Sequence, residues 1–219
     1  MALILNLETA TRNCSVALSR DGVVLAKRDH AGEGYSHAEK LHVFIDEVFA
    51  ESGAGFNDLQ AVSVSRGPGS YTGLRIGVSA AKGFCHALGS PLITVDTTLI
   101  LASMAEIPEG TIIPLIDARR MEAYTAIYDE KLQMKAPIAA EILTEDSFKN
   151  VAGPIYFVGD CQEKARTVLN SPRHHYLDHV VFPSASAMTP FSEKKFEHKE
   201  FEDVAYFEPF YLKDFIAGK

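Results

Sequence analysis

Ser65-Arg66-Gly67-Pro68-Gly69-Ser70-Tyr71-Thr72-Gly73-Leu74-Arg75 is the stretch whose reading decides the fold. It follows a short β-branched run, Leu59 to Ser65, and leads into a helical pattern from about Thr72 to Leu88. A glycine-rich connection between a strand and a helix belongs to an α/β chain. Its glycines permit close backbone approach to an anion at the helix N-terminus. Glu8, Thr9, Gly67, Gly69, Ser70, Thr72 and Gly73 are therefore the candidate phosphate-loop residues. The spacing matches neither the Gly-Lys-Ser/Thr phosphate loop nor the dinucleotide GxGxxG. The plainer reading is a tight turn with Arg66 and Arg75 on the surface.

Outward toward the N-terminus lie three strand-like runs, Leu3 to Leu7, Cys14 to Leu18 and Val23 to Arg28. Asp21-Gly22 between the last two supplies the positive φ of a tight hairpin. Glu8 to Asn13 is a small polar loop able to bring N–H groups close to an anion. Ser36-His37-Ala38-Glu39 reads as a capping box. Leu41, Phe44, Ile45, Val48 and Phe49 then follow at helical spacing, up to Glu51-Ser52-Gly53. A strand at Pro91 to Val95 completes a β-β-β-α-β-α-β half.

The pattern partly recurs. Thr111 to Ala118, Glu122 to Asp129, Ala136 to Leu143 and Ile155 to Gly159 are strand-like, with helices at Glu145 to Asn150 and Cys161 to Leu169. A duplicated α/β domain is expected, with residues 1–108 and 109–219 as its halves and the turn cluster Pro108-Glu109-Gly110 as the boundary. Another helix is expected from Ser184 to His198.

Composition narrows the function. The 219 residues carry 21 basic and 29 acidic side chains, a net charge of −8, which excludes a free-standing nucleic-acid binder. No run reaches the roughly 18 to 20 apolar residues of a membrane span, and the apolar start lacks a basic leader, so it reads as a buried strand. Three scattered cysteines, Cys14, Cys85 and Cys161, suggest neither a disulfide framework nor a zinc knuckle, and a cytoplasmic setting is expected. His37 and His42 sit about 140° apart on a helix, and His174 and His175 are adjacent in an expected loop, so no metal site is expected. No serine has the glycine-elbow context of a hydrolase triad. Asp117-Ala118-Arg119-Arg120 is either catalytic or a turn with an internal ion pair; the turn is the favoured reading.

The helix after the loop carries Gly73, Gly77, Ala80, Ala81, Gly83 and Ala87. Helix-interior glycines cost about 1 kcal/mol each relative to alanine, and close approach of another backbone is the usual compensation. His37, Leu41, Phe44, Ile45, Gly73, Gly77, Ala80, Ala81 and Phe84 are the candidate partner-interface residues.

Together these segments resemble the TsaB (YeaZ) family of tRNA threonylcarbamoyladenosine biosynthesis proteins. The resemblance rests on Ile4 to Thr11 with Cys14 to Leu18, Ser36 to Leu41, and Gly67 to Gly77 running into Ala80 to Gly83. It continues through Asp117 to Arg120 with Glu122 and Tyr124, Gly159-Asp160 and Glu208 to Asp214. It implies the two-lobed fold of the actin, sugar-kinase and heat-shock-chaperone superfamily. It also implies a scaffold or activator subunit that dimerises with a catalytic TsaD subunit and works with the ATPase TsaE. The isolated chain would form a homodimer, and tRNA would be reached only through the complex. The metal-binding His-x-x-x-His of TsaD corresponds here to Thr97-Thr98-Leu99-Ile100-Leu101, which implies a non-catalytic paralogue. Glu8 departs from the superfamily's Asp, which puts ATP hydrolysis in doubt and leaves weak nucleotide binding open. The alternatives are a stand-alone ATP-dependent kinase or metallopeptidase-like enzyme of the superfamily, or a sugar- or nucleotide-sensing module.

Overall fold

The computed structural model describes residues 2–32 and 36–213. Asp214, the last residue of the expected C-terminal motif, lies outside the described residues. The chain forms two compact units. One runs to Thr97 and resumes at Ser184; the other spans Thr98 to Pro183.

The first unit holds β1 (Leu3–Glu8), β2 (Asn13–Arg20), β3 (Val23–Ala31), α1 (His37–Ser52), β4 (Ala61–Gly67), α2 (Tyr71–Leu88), β5 (Leu92–Asp96) and α5 (Ala185–His198). Its sheet runs β3-β2-β1-β4-β5. β1 and β2, and β2 and β3, are antiparallel, whereas β1, β4 and β5 are parallel. Asp21 and Gly22 take φ of 50° and 75° at the β2–β3 turn, as their sequence predicts. Leu3, Leu5 and Leu7 point to one face and join Leu41, Ile45, Val64, Val78 and Ala81 beneath α1 and α2. The opposite face of β1 is covered by α5, whose Ser192 hydroxyl donates to Asn6 Oδ1 at 2.6 Å, while the main-chain N–H of Ala185 donates to Ser15 Oγ at 2.7 Å. Burial on both faces explains why β1 is a continuous apolar run rather than an alternating one.

The second unit holds most of α3 (Thr97–Ser103), then β6 (Thr111–Asp117), β7 (Glu122–Asp129), β8 (Met134–Ile142), β9 (Ile155–Val158), α4 (Gln162–Arg166) and β10 (His174–Tyr176). Its sheet, read from β8, is β8-β7-β6-β9-β10. The order and the parallel or antiparallel sense of every pair repeat those of the first sheet. The duplication inferred from the element pattern is present.

Three expectations are corrected. The division is not at Pro108-Glu109-Gly110, because α3 packs Leu101 and Ala102 with Ile112, Ile116 and Tyr128 of the second unit, and α5 returns to the first. Glu145 to Asn150 forms turns, with Phe148 at φ 61°, instead of a helix. Ser36 has φ −108° and ψ 15° and no side-chain capping bond. An N-cap hydroxyl needs extended backbone to reach back to the first-turn N–H groups, so the expected capping box does not form. The three cysteines are buried and free. Among the described residues, no helix is long and apolar enough to cross a membrane.

Candidate functional site: the glycine loop and the helix pair

β4 ends at Gly67, whose φ of 112° a side chain would oppose, and a cis Gly67–Pro68 peptide follows. Ser70 then caps α2, its hydroxyl accepting from Gly73 N at 3.3 Å. Opposite the loop lies the chain's own β1–β2 connection. Ser70 N donates to Ala10 O at 2.6 Å, and the Thr9 hydroxyl donates to Gly73 O at 2.7 Å. A Cβ at Gly69 would collide with the Ala10 carbonyl, one at Gly73 with the Thr9 carbonyl, and one at Gly77 with the Thr9 hydroxyl. The structure therefore brings Thr9, Gly69, Ser70 and Gly73 together, but against one another. Thr9 and Ala10 fill the space beside these glycines. Gly67 is closed off by the C-terminal segment, since a Cβ there would lie 2.8 Å from Phe210 O, and Thr72 faces solvent. Of the candidate phosphate-loop residues, Gly69 and Gly73 are thus taken up by packing against the β1–β2 connection.

Glu8 sits at the end of β1 with no exposed surface. It accepts a 2.5 Å bond from Ala10 N, which holds the loop that fills the glycine cleft. Burial pushes its carboxyl up to about 7, against the pull of the Ala10 N–H and the neighbouring Ser65 hydroxyl. Oε2 has no partner among the described residues. Among the described residues no cluster of three His, Cys, Asp or Glu side chains has metal-binding placement. Thr97 and Leu101 are fully buried, one in each unit.

His37, at the start of α1, is buried, with its Nε2 2.8 Å from Thr11 O. Burial lowers its pKa, so the neutral ring donates to that carbonyl. His37, Leu41, Ile45, Gly73, Gly77 and Ala81 are all interior to the unit, so these six cannot touch a partner as expected. Only Phe44, Ala80 and Phe84 of the nine interface candidates reach the surface, each half-buried.

The surface they reach is an apolar groove of about 680 Å³. Ala38 and His42 of α1 line it together with Arg75, Ile76, Ser79, Ala80, Gly83, Phe84 and Ala87 of α2. Phe84 stacks on Phe56, which meets Phe49, with centroids 5.9 and 4.3 Å apart. A Cβ at Gly83 would meet nothing within 4 Å. The periodicity held the signal that separates the two sets. Gly73, Gly77 and Ala81 recur every four residues on the inward stripe, whereas Ile76, Ala80, Gly83 and Ala87 recur at four, three and four on the outward one. The C-terminal segment braces the flank of α2. Lys82 Nζ donates to Ala205 O and Phe207 O, Phe210 N donates to Arg66 O, and Tyr211 packs on Tyr71 at 4.8 Å beneath Arg75.

In the second unit, Asp117 does sit at a turn, but its ion pair at 2.6 Å is with Lys164 and not with the adjacent arginines. His174 and His175 lie on β10 instead of a loop and pack on Phe157 and Tyr156.

A model of the TsaD family, described as tRNA N6-adenosine threonylcarbamoyltransferase, matches residues 33–217. The chain is 31% identical over 232 residues to the tRNA threonylcarbamoyladenosine biosynthesis protein TsaB of Escherichia coli K12, covering 99% of this chain and 96% of that protein. The chain belongs to the TsaB family. Among solved structures, YeaZ from Pseudomonas aeruginosa superposes with a TM-score of 0.85 at 24% identity, over 97% of this chain and all of that one. The activator of 2-hydroxyisocaproyl-CoA dehydratase from Clostridium difficile, solved with bound ADPNP, gives 0.51 at 10% identity, over 92% and 98% of the two chains. The TsaB-family chain thus shares the fold of these two structures, and the glycines of its strand-to-helix loop pack against its own β1–β2 connection.

Proposed function

We propose that this chain is the non-catalytic subunit of an assembly that forms threonylcarbamoyladenosine in tRNA, docking on a TsaD-type catalytic subunit through the α1–α2 groove. The observation that carries the reading is Gly83. It is exposed in the interior of an 18-residue helix, and no atom of the chain occupies the space its missing side chain leaves. Such a glycine costs helix stability of about 1 kcal/mol relative to alanine, and nothing inside the chain compensates it. A partner helix approaching closely along Ile76, Ala80, Gly83 and Ala87 does so, because small residues let two backbones come together and bury the apolar walls between them.

The contribution of this chain is then binding and orientation. Thr97 and Leu101 stand where the resemblance places a metal-binding paralogue's imidazoles, and Gly69 and Gly73 are packed against Thr9 and Ala10, which supports chemistry residing in the partner. A TsaE-type ATPase completes the assembly, and without the catalytic subunit the same groove pairs two copies of this chain. Reconstitution tests the reading: tRNA modification measured with the TsaD-type and TsaE-type proteins, with and without this chain. Modification is expected only when the chain is present. Full modification without it, or turnover by the isolated chain, would overturn the reading.

A further inference from the structure

The turn between β6 and β7 contains an arrangement that folding alone does not explain. Arg119 and Arg120 both adopt left-handed backbone, with φ of 67° and 52°. Left-handed backbone is strained for a residue that carries a Cβ and is taken most readily by Gly, Asn or Asp. Two arginines are an unfavourable choice for the turn itself. The turn is nonetheless well braced. Arg119 N donates to Asp117 Oδ1 at 2.8 Å, Ala118 N to Glu122 O at 3.1 Å, and Asp117 N to Asp160 Oδ1 at 2.8 Å. Lys164 neutralises Asp117 and also donates to Glu122 O.

Both arginines are exposed, and among the described residues neither has a carboxylate partner. Arg28, Arg66 and Arg166, by contrast, each end on an Asp or Glu. The two guanidiniums thus stand exposed on a braced turn of a chain whose net charge is −8. Backbone strain retained at an exposed position points to function. Guanidinium is the side chain that grips phosphoryl oxygens with two parallel donors. Two adjacent exposed guanidiniums can meet successive phosphates of an extended phosphodiester backbone, whereas a nucleotide is held in a concave pocket.

We propose that Arg119 and Arg120 form a finger that contacts the phosphodiester backbone of tRNA directly. The inference rests on the reading that this chain serves a tRNA-modifying assembly. The acidic remainder of the chain repels RNA, so the finger acts on tRNA that the assembly already holds.

The test compares wild type with the double variant Arg119→Asn, Arg120→Gly in complex with the TsaD-type subunit. Labelled tRNA is titrated at several salt concentrations and ATP in a separate arm. Asn and Gly take left-handed backbone more readily than Arg, so the melting temperature should not fall while tRNA affinity falls about tenfold. The slope of log affinity against log salt should become shallower by about 2, one for each lost phosphate contact. A second variant, Arg119→Lys with Arg120→Lys, should keep most of the slope. Unchanged tRNA affinity and slope in the double variant would overturn the proposal, as would a loss confined to ATP. Co-elution with the TsaD-type subunit, measured on the same samples, reports the docking reading separately: an intact complex with unchanged tRNA binding refutes the finger alone.

Discussion

The two faces of α2 carry the same kinds of residue for opposite reasons. On the inward face, Gly73 and Gly77 admit the backbone and hydroxyl of Thr9, so these glycines are demanded by the chain's own packing. On the outward face, Gly83 meets nothing within 4 Å, and Ala80 and Ala87 line an open groove. A small residue is therefore not by itself a mark of an interface. What distinguishes the two stripes is whether a neighbour within the chain already fills the space.

The largest expected effect breaks the inward face. Gly77→Leu drives a side chain into Thr9 and should cost about 3 kcal/mol or more by overpacking, read as a lower midpoint in chemical denaturation or as loss of soluble protein. A variant as stable as wild type would show that the Thr9 contact is not a constraint.

Next comes Glu8, which anchors the loop that the inward glycines admit. Its carboxyl stands near 4.5 when unperturbed and about 7 in the fold. Between those values the native state keeps a proton that the unfolded chain has released. Its contribution to stability is therefore complete below about pH 4.5 and is lost as pH rises through 7, a change of the order of 3 kcal/mol. Glu8→Gln should remove this component from the pH–stability profile. An unaltered profile would mean that Glu8 titrates normally.

The smallest effect sharpens the outward face. Gly83→Ala should stabilise the isolated chain by about 1 kcal/mol, or about 2–4 °C in melting temperature. The same change at Gly73 should do the opposite, because its Cβ has no room. Equal shifts at the two positions would erase the distinction between the faces.

Much of this was legible in the residues themselves. The Asp21-Gly22 hairpin, the span of α2 and the duplicated strand pattern follow from local turn chemistry and periodicity. What escaped depends on contacts between distant parts of the chain. Thr9 meets Gly73 across 64 positions, and α5 reaches Ser15 across 170, so no window of sequence contains either partner of the other. The same blindness moved the unit boundary, because the turn at Pro108 to Gly110 is visible while the packing of α3 is not. Ser36 failed for a smaller reason: the residue types of a capping box are present, but its backbone is not extended.

The glycine loop shows the same dependence on distant contacts. Glycines in a strand-to-helix connection signal that something approaches closely. Here that neighbour is the backbone of Thr9 and Ala10 rather than a ligand. The outward face differs in leaving its space open.

The most direct test of that difference is the affinity of Gly83→Leu for the TsaD-type subunit, measured by calorimetry on protein shown by circular dichroism to melt no lower than wild type. A Cβ there meets no atom within 4 Å, and a leucine obstructs the closest approach of a partner helix, so binding should weaken at least about a hundredfold, a difference near 3 kcal/mol. Wild-type affinity in the folded variant would contradict the assignment of the groove as the docking face.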